Sequence, residues 1–89
     1  MKSKRDSWNV QWEKRAVKEF EKLPIYIQNR ILKKVRLLKE NPFLGEELHG
    51  EWKGFRKLRI GDYRVVYSLE KAIKVIAIVK VGHCRDIYR

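Results

Sequence analysis

A chain of 89 residues makes one small domain, expected to run over 1–89 with residues 1–7 as a flexible basic N-terminus, and its core is too small to leave much stability in reserve without a partner. Hydrophobic residues at 44% and aromatics at 11% exclude a disordered chain. A net charge of +11 on so small a body calls for an anionic partner: nucleic acid first, an acidic protein second, an anionic membrane third.

In chain order, Trp8 to Trp12 alternate as Trp-Asn-Val-Gln-Trp, which predicts a short strand with Trp8, Val10 and Trp12 on one face. From Lys14 the period changes. Ala16, Val17, Phe20 and Leu23 fall at helical spacing, and Pro24 ends that run. Pro24 can also open the next helix, where a missing N–H costs nothing. Ile27, Ile31, Val35 and Leu38 then form one stripe, with Arg30, Lys33, Lys34 and Arg36 mostly on other faces, and Asn41-Pro42 stops the helix. Residues 41–53 read as a loop. Three strands follow, at Phe55–Ile60, Tyr63–Leu69 and Ala72–Val81. The last is almost continuously apolar, so it belongs in the sheet interior. The fold class is therefore α+β: an N-terminal strand and a two-helix hairpin packed on a twisted antiparallel sheet with three C-terminal strands.

Other classes fall away. Cys84 is the single cysteine, so no internal disulfide and no cysteine metal cluster is available. His49 and His83 are the two histidines, too few for a zinc site of ordinary composition, so no metal and no cofactor is expected. The start MKSKRDS is charged with no apolar stretch behind it, and the longest apolar run, between Lys74 and Lys80, is far too short for a bilayer. A cytoplasmic protein is expected, with no membrane contact. Cys84 has no evident activating group and reads as packing.

Charge is uneven along the chain. Residues 1–51 carry 12 Lys and Arg against 8 Asp and Glu, a net of +4, while residues 52–89 carry 10 against 3, a net of +7. The helices thus read as a solvated mixed-sign surface, and the surplus lies on the sheet and tail.

Gly61-Asp62 between two strand-like runs predicts a tight two-residue hairpin of type II′. That turn sets the register: Ile60 opposite Tyr63, Arg59 opposite Arg64, Leu58 opposite Val65, Lys57 opposite Val66. Leu58, Ile60, Tyr63, Val65 and Tyr67 then share the face that packs on the helices. Lys57, Arg59 and Arg64 share the other face. Two arginines directly opposed on a sheet repel by roughly 0.2–1 kcal/mol, a cost that a bound anion removes. Arginine forks also match phosphate oxygens two at a time. The competing reading is that they splay into water, or that Glu46, Glu47 or Glu51 covers them. The tail adds His83, Arg85 and Tyr88, which can lie near the same face and donate protons, although each taken singly has an ordinary surface or packing explanation. Trp8, Trp12 and Phe55 read as core. Trp52, at the loop's end, is the aromatic best placed to stack on a base.

The run from Leu48 to Tyr67, and within it Lys57-Leu58-Arg59-Ile60-Gly61-Asp62-Tyr63-Arg64-Val65-Val66-Tyr67, resembles the RelE/ParE toxin superfamily. The ending Val81-Gly82-His83-Cys84-Arg85-Asp86-Ile87-Tyr88 resembles that superfamily's C-terminus, and the order of elements matches from Trp8 onward. The resemblance implies the toxin of a type II toxin–antitoxin system, monomeric alone and heteromeric with a RelB-type antitoxin. It implies a metal-independent endoribonuclease that cuts mRNA in the ribosomal A site through attack by the RNA's own 2′-hydroxyl. Lys57 and Arg59 look like the family's basic residues on the hairpin's first strand, Arg64 like the arginine on its second, and Tyr88 like the tyrosine near the C-terminus. Arg85 is the choice for the family's C-terminal arginine, with His83 the competitor; Cys84 stands where many relatives have arginine. Trp52, Lys53, Arg56 and Arg89 complete the expected RNA-contacting set. The alternative implied by the same resemblance is a ParE-like toxin that inhibits DNA gyrase by binding it and leaves RNA uncut.

Overall fold

The computed structural model describes residues 7–85. In chain order it holds β1 (Asn9–Trp12), α1 (Lys14–Glu21), α2 (Ile25–Glu40), β2 (Glu46–Glu47), a 3₁₀ turn at Gly50–Trp52, β3 (Phe55–Ile60), β4 (Tyr63–Glu70) and β5 (Val75–His83). The strands form one sheet in the order β1-β5-β4-β3-β2. This is the expected α+β arrangement, two helices on a sheet. None of the helices among the described residues is long and apolar enough to cross a membrane.

The helical hairpin forms as the periodicity predicts. Ile27, Ile31, Val35 and Leu38 are the buried stripe of α2. Pro24 sits just before the helix with extended backbone (φ −57°, ψ 148°) rather than inside it. Its carbonyl accepts the N–H groups of Ile27 and Gln28, each at 3.0 Å, and so starts the first turn. The Gln28 side-chain amide donates to the Leu23 carbonyl at 3.0 Å, closing the connection between the helices. At the far end the Asn41 N–H still reaches the Leu37 carbonyl. The Asn41 side chain then accepts the Phe43 N–H at 3.2 Å, an Asx turn that stops the helix before Pro42.

Three features depart from the sequence expectation. First, the sheet is mixed: β2–β5 pair antiparallel, but β1 lies parallel to β5, with Asn9 opposite Val75 and Trp12 opposite Ile78. Alternating residues show a strand's inner face and not its direction; the helical hairpin after β1 gives the chain room to return for either. Second, the 41–53 segment is not wholly loop, since Glu46 and Glu47 pair with Lys57 and Arg56 as a fifth, two-residue strand. Third, the last strand begins at Val75 rather than Ala72 and runs on to His83. Lys74 has a left-handed backbone (φ 54°) in a turn that leaves Ile73 67% exposed, so the apolar Ile73 belongs to the turn.

The core joins both layers: Ala16 and the α2 stripe against Leu58, Ile60, Val65, Tyr67, Ile76, Ile78 and Val81. Trp8, Val10, Trp12, Phe20 and Leu23 pack against its margin. Trp12 and Phe20 meet edge to face at 5.1 Å, fixing α1 on β1. Since β1 ends opposite Ile78, the outer edge of β5 runs free beyond that point. Glu19 of α1 fills the gap: its carboxylate accepts the Val81 N–H at 2.9 Å and lies 4.0 Å from the buried Lys80 ammonium.

Candidate active site

The β3–β4 hairpin carries the candidate site. Gly61 has φ 61°, and Lys74 is the single described non-glycine residue with positive φ, so Asp62 has a negative φ, the pattern of a type II′ turn. The register follows from it: Ile60 opposite Tyr63, Arg59 opposite Arg64, Leu58 opposite Val65, Lys57 opposite Val66. Lys57, Arg59 and Arg64 therefore share the face turned away from the core. All three line one groove of about 470 Å³, together with Lys34, Leu44, Glu46 and Leu58. Arg59 is exposed; Arg64 and Lys57 are half-buried. The Arg59 Nε donates to the Gly61 carbonyl at 2.9 Å, which holds its guanidinium at the turn.

Among the described residues, one carboxylate enters this groove. Glu46 of β2 lies opposite Lys57, with its oxygen 3.5 Å from the Lys57 ammonium. From the sequence, Glu46 is one of three carboxylates able to cover the cations. It covers one cation of the three and remains 78% exposed, so the pair is open to a ligand and worth little to stability. No alternation marks a two-residue strand, so the sequence carries no signal for a specific partner.

Glu46 is placed by a buried clasp. The fully buried Tyr67 hydroxyl donates to the Pro42 carbonyl at 2.8 Å and accepts the Gly45 N–H at 2.9 Å. A Cβ on Gly45 would lie 2.6 Å from both that hydroxyl and the Lys57 carbonyl, so only glycine lets the loop approach this closely. Burial holds the Tyr67 phenol above its ordinary 10.0, against the lowering pull of the Gly45 N–H and of Arg56.

Arg56 belongs to this clasp. It donates to the carbonyls of Gly45 (3.0 Å) and Phe43 (3.3 Å), pairs with Glu47 at 3.5 Å and stacks over the Phe43 ring at 5.2 Å. Opposite Tyr67 in the register, it sits on the other face from Lys57 and Arg59. Lys53 lines a separate cavity at the far end of β3. Trp52 stands edge-on to Phe55 at 5.5 Å, half-buried.

His83 is not brought to the cations. Val66 pairs with Lys80 but Tyr67 pairs with Ile78, leaving Val79 without a partner on β4. This bulge shifts the alternation by one and turns the last residues of β5 over. His83 comes opposite Tyr63, edge to face at 5.3 Å, and lines a cavity with Glu19, Lys22 and Leu23 on the helix side. Its Nδ1 accepts the Arg85 N–H at 3.2 Å. The Cys84 N–H donates to the Asp62 carbonyl at 2.8 Å, so the exposed Arg85 lies near the hairpin turn. Tyr88 and Arg89 lie outside the described residues.

Residues 10–88 match the family model described as ParE toxin of type II toxin–antitoxin system, parDE. The chain belongs to this toxin family, within the RelE/ParE superfamily. Solved toxins share its fold. It is similar to a chain of the toxin–antitoxin complex RelBE2 from Mycobacterium tuberculosis, at 25% identity and TM-score 0.82, over 86% of this chain and 98% of that one. It is similar also to a chain of the archaeal RelE–RelB complex from Pyrococcus horikoshii, at 30% identity and TM-score 0.71, over 86% and 94%. The isolated E. coli RelE toxin matches at 25% identity and TM-score 0.78, over 86% and 84%. No curated protein matches the sequence. The protein is thus a type II toxin of the RelE/ParE superfamily.

Proposed function

We propose that this toxin is an endoribonuclease that cuts mRNA on the translating ribosome in the cytoplasm, without a metal, and that a RelB-type antitoxin restrains it. The observation that carries this reading is the groove itself: Lys57, Arg59 and Arg64 face one space that, among the described residues, one exposed carboxylate, Glu46, shares. Such a set fits in-line attack by the RNA's 2′-hydroxyl on the adjacent phosphate. Glu46 accepts the 2′-proton, and the neighbouring Lys57 ammonium lowers the energy of the forming 2′-oxyanion. The new bond runs from the 2′-oxygen to phosphorus. Arg59 and Arg64 offset the charge that builds on the phosphate oxygens. The bond to the 5′-oxygen breaks, and the tail, through Arg85 or Tyr88, supplies that oxygen with a proton. The products are a 2′,3′-cyclic phosphate and a 5′-hydroxyl. Most of the rate comes from positioning and fixed charge, part of it from the ribosome.

Antitoxin neutralisation rests on the family and on the RelB-bound relatives, whose toxin chains this one resembles. The family model's ParE name supports a second reading, inhibition of DNA gyrase by binding. A gyrase binder has no need of a carboxylate set among three cations. The deciding experiment expresses the toxin with and without its antitoxin in growing cells and maps RNA ends. Codon-positioned cuts bearing cyclic phosphate are expected. Intact mRNA with gyrase-dependent DNA breaks would replace the nuclease reading with the second one.

A further inference from the structure

The cationic groove does not end at the hairpin. Lys34 of α2 lines it beside Lys57, Arg59 and Arg64, and the same Lys34 lines an adjoining groove of about 310 Å³ with Arg30, Lys33, Leu37 and Ile60. Lys34 is thus common to both, and the two make one track along the side of β3 and α2. Arg30 reaches to the hairpin turn, its guanidinium nitrogens 3.4 Å from the position a Cβ on Gly61 would take. From the sequence these helix cations read as an ordinary solvated surface; the fold sets them against the functional hairpin.

We infer that Arg30, Lys33 and Lys34 form a phosphate-binding rail on α2, which holds the single-stranded RNA backbone flanking the cleaved bond. The inference rests on the nuclease reading of the adjoining groove and extends it to the substrate's neighbouring nucleotides. Three observations support it. Residues 30, 33, 34 and 37 lie on one helical face, and four residues of helix advance about 6 Å, a step that suits successive phosphates of an extended strand. Among the described residues, no carboxylate pairs with Arg30, Lys33 or Lys34, whereas Arg15, Arg56, Lys57 and Lys80 each have one. Among the described residues, six cations line the joined grooves and one carboxylate, Glu46, so the track suits a polyanion along its length. Leu37, 53% exposed, gives the track an apolar border against which a ribose or base can rest.

The test uses the full-length toxin and a 2′-O-methylated octanucleotide, which it cannot cleave, beside a trinucleotide of the same chemistry. The double variant Arg30→Gln/Lys34→Gln should bind the octanucleotide about tenfold more weakly at about 100 mM salt, and its log–log salt slope should fall by about 0.7 for each phosphate that the protein no longer neutralises. The trinucleotide should bind as it does to the wild type. Lys33→Gln should weaken binding less, and Lys18→Gln, on α1, should leave it unchanged. Equal weakening for both lengths, or the same weakening against a polyglutamate chain, would overturn the rail, because the face would then be a general cation surface suited to an acidic peptide. Wild-type affinity in the double variant, with Arg64→Ala weakened, removes the rail and leaves the nuclease reading standing. If the wild-type toxin shows no salt-dependent hold on the octanucleotide, both fall together.

Discussion

The two faces of the β3–β4 hairpin follow opposite rules. On the helix side, Leu58, Ile60, Val65 and Tyr67 are buried, and the one polar atom among their side chains, the Tyr67 hydroxyl, has both a donor and an acceptor. On the other side, Arg59 opposes Arg64 with Lys57 one step away, an arrangement that stability alone would avoid. The same strands and the same register produce both. Period-two alternation lets a chain place a cationic, mutually repulsive surface directly behind the packing that holds it rigid. Changes on one face should therefore alter chemistry with little effect on folding, and changes on the other the reverse.

The largest effect is expected from Arg64→Ala. On the proposed nuclease reading it removes charge at the phosphate, so RNA cleavage should fall by about 10²–10³-fold. The denaturation midpoint and antitoxin binding should stay near wild type. Growth arrest on induction is the simplest measure, and full toxicity in this variant would remove Arg64 from the site.

Gly45→Ala attacks the opposite face. Its methyl group meets the Lys57 carbonyl and the Tyr67 ring and hydroxyl, with no flexible neighbour to yield. Such overpacking costs about 1–3 kcal/mol, read as a lower denaturant midpoint. The loop also carries Glu46, so cleavage should drop further than the loss of folded protein explains. An unchanged midpoint would show that the clasp is looser than its distances imply.

Tyr67→Phe isolates the clasp's hydrogen bonds. It strands the Gly45 N–H and the Pro42 carbonyl in a buried place and should cost about 1–3 kcal/mol. The pH dependence has a definite sign. The phenol's pKa is raised in the folded state, chiefly by burial, so the neutral form is favoured there. Its contribution is whole below the unfolded value near 10.0 and is lost as pH climbs through the folded one. Urea titrations at rising alkaline pH should show wild type losing stability faster than the Phe variant. Parallel curves would mean that the phenol ionises alike in both states.

The hairpin register is legible in the sequence because a two-residue Gly-Asp turn permits one pairing, and the α2 stripe because its four apolar residues repeat at helical spacing. The placement of His83 is not. Its facing depends on the bulge at Val79, and an extra residue in a uniformly apolar run leaves no trace in composition. Which of Glu46, Glu47 and Glu51 covers the cations, and the part played by the α2 cations, escape for a related reason: each joins the groove through tertiary placement, across a loop or between layers, with no local pattern to announce it. The site's cations are therefore readable where one turn fixes them and hidden where packing does.

The smallest effect concerns the repulsion itself. Arg59→Gln removes one of the two opposed charges and also weakens an exposed hydrogen bond to the Gly61 carbonyl. The two changes oppose each other, and relief of the like-charge repulsion should leave the variant equal to wild type or more stable by up to about 1 kcal/mol at low salt. Salt separates the contributions, because exposed charges are screened within about 10 Å at about 0.1 M salt, while a hydrogen bond to a carbonyl responds far less. Wild type should gain stability as sodium chloride rises and the variant should gain less, so the two melting curves converge. Inorganic phosphate should stabilise wild type beyond the chloride effect if, as proposed, the guanidinium groups bind it between them as well as being screened by it. Identical salt responses in the two proteins would mean that Arg59 and Arg64 splay apart into water, and the strain assigned to this face would not exist.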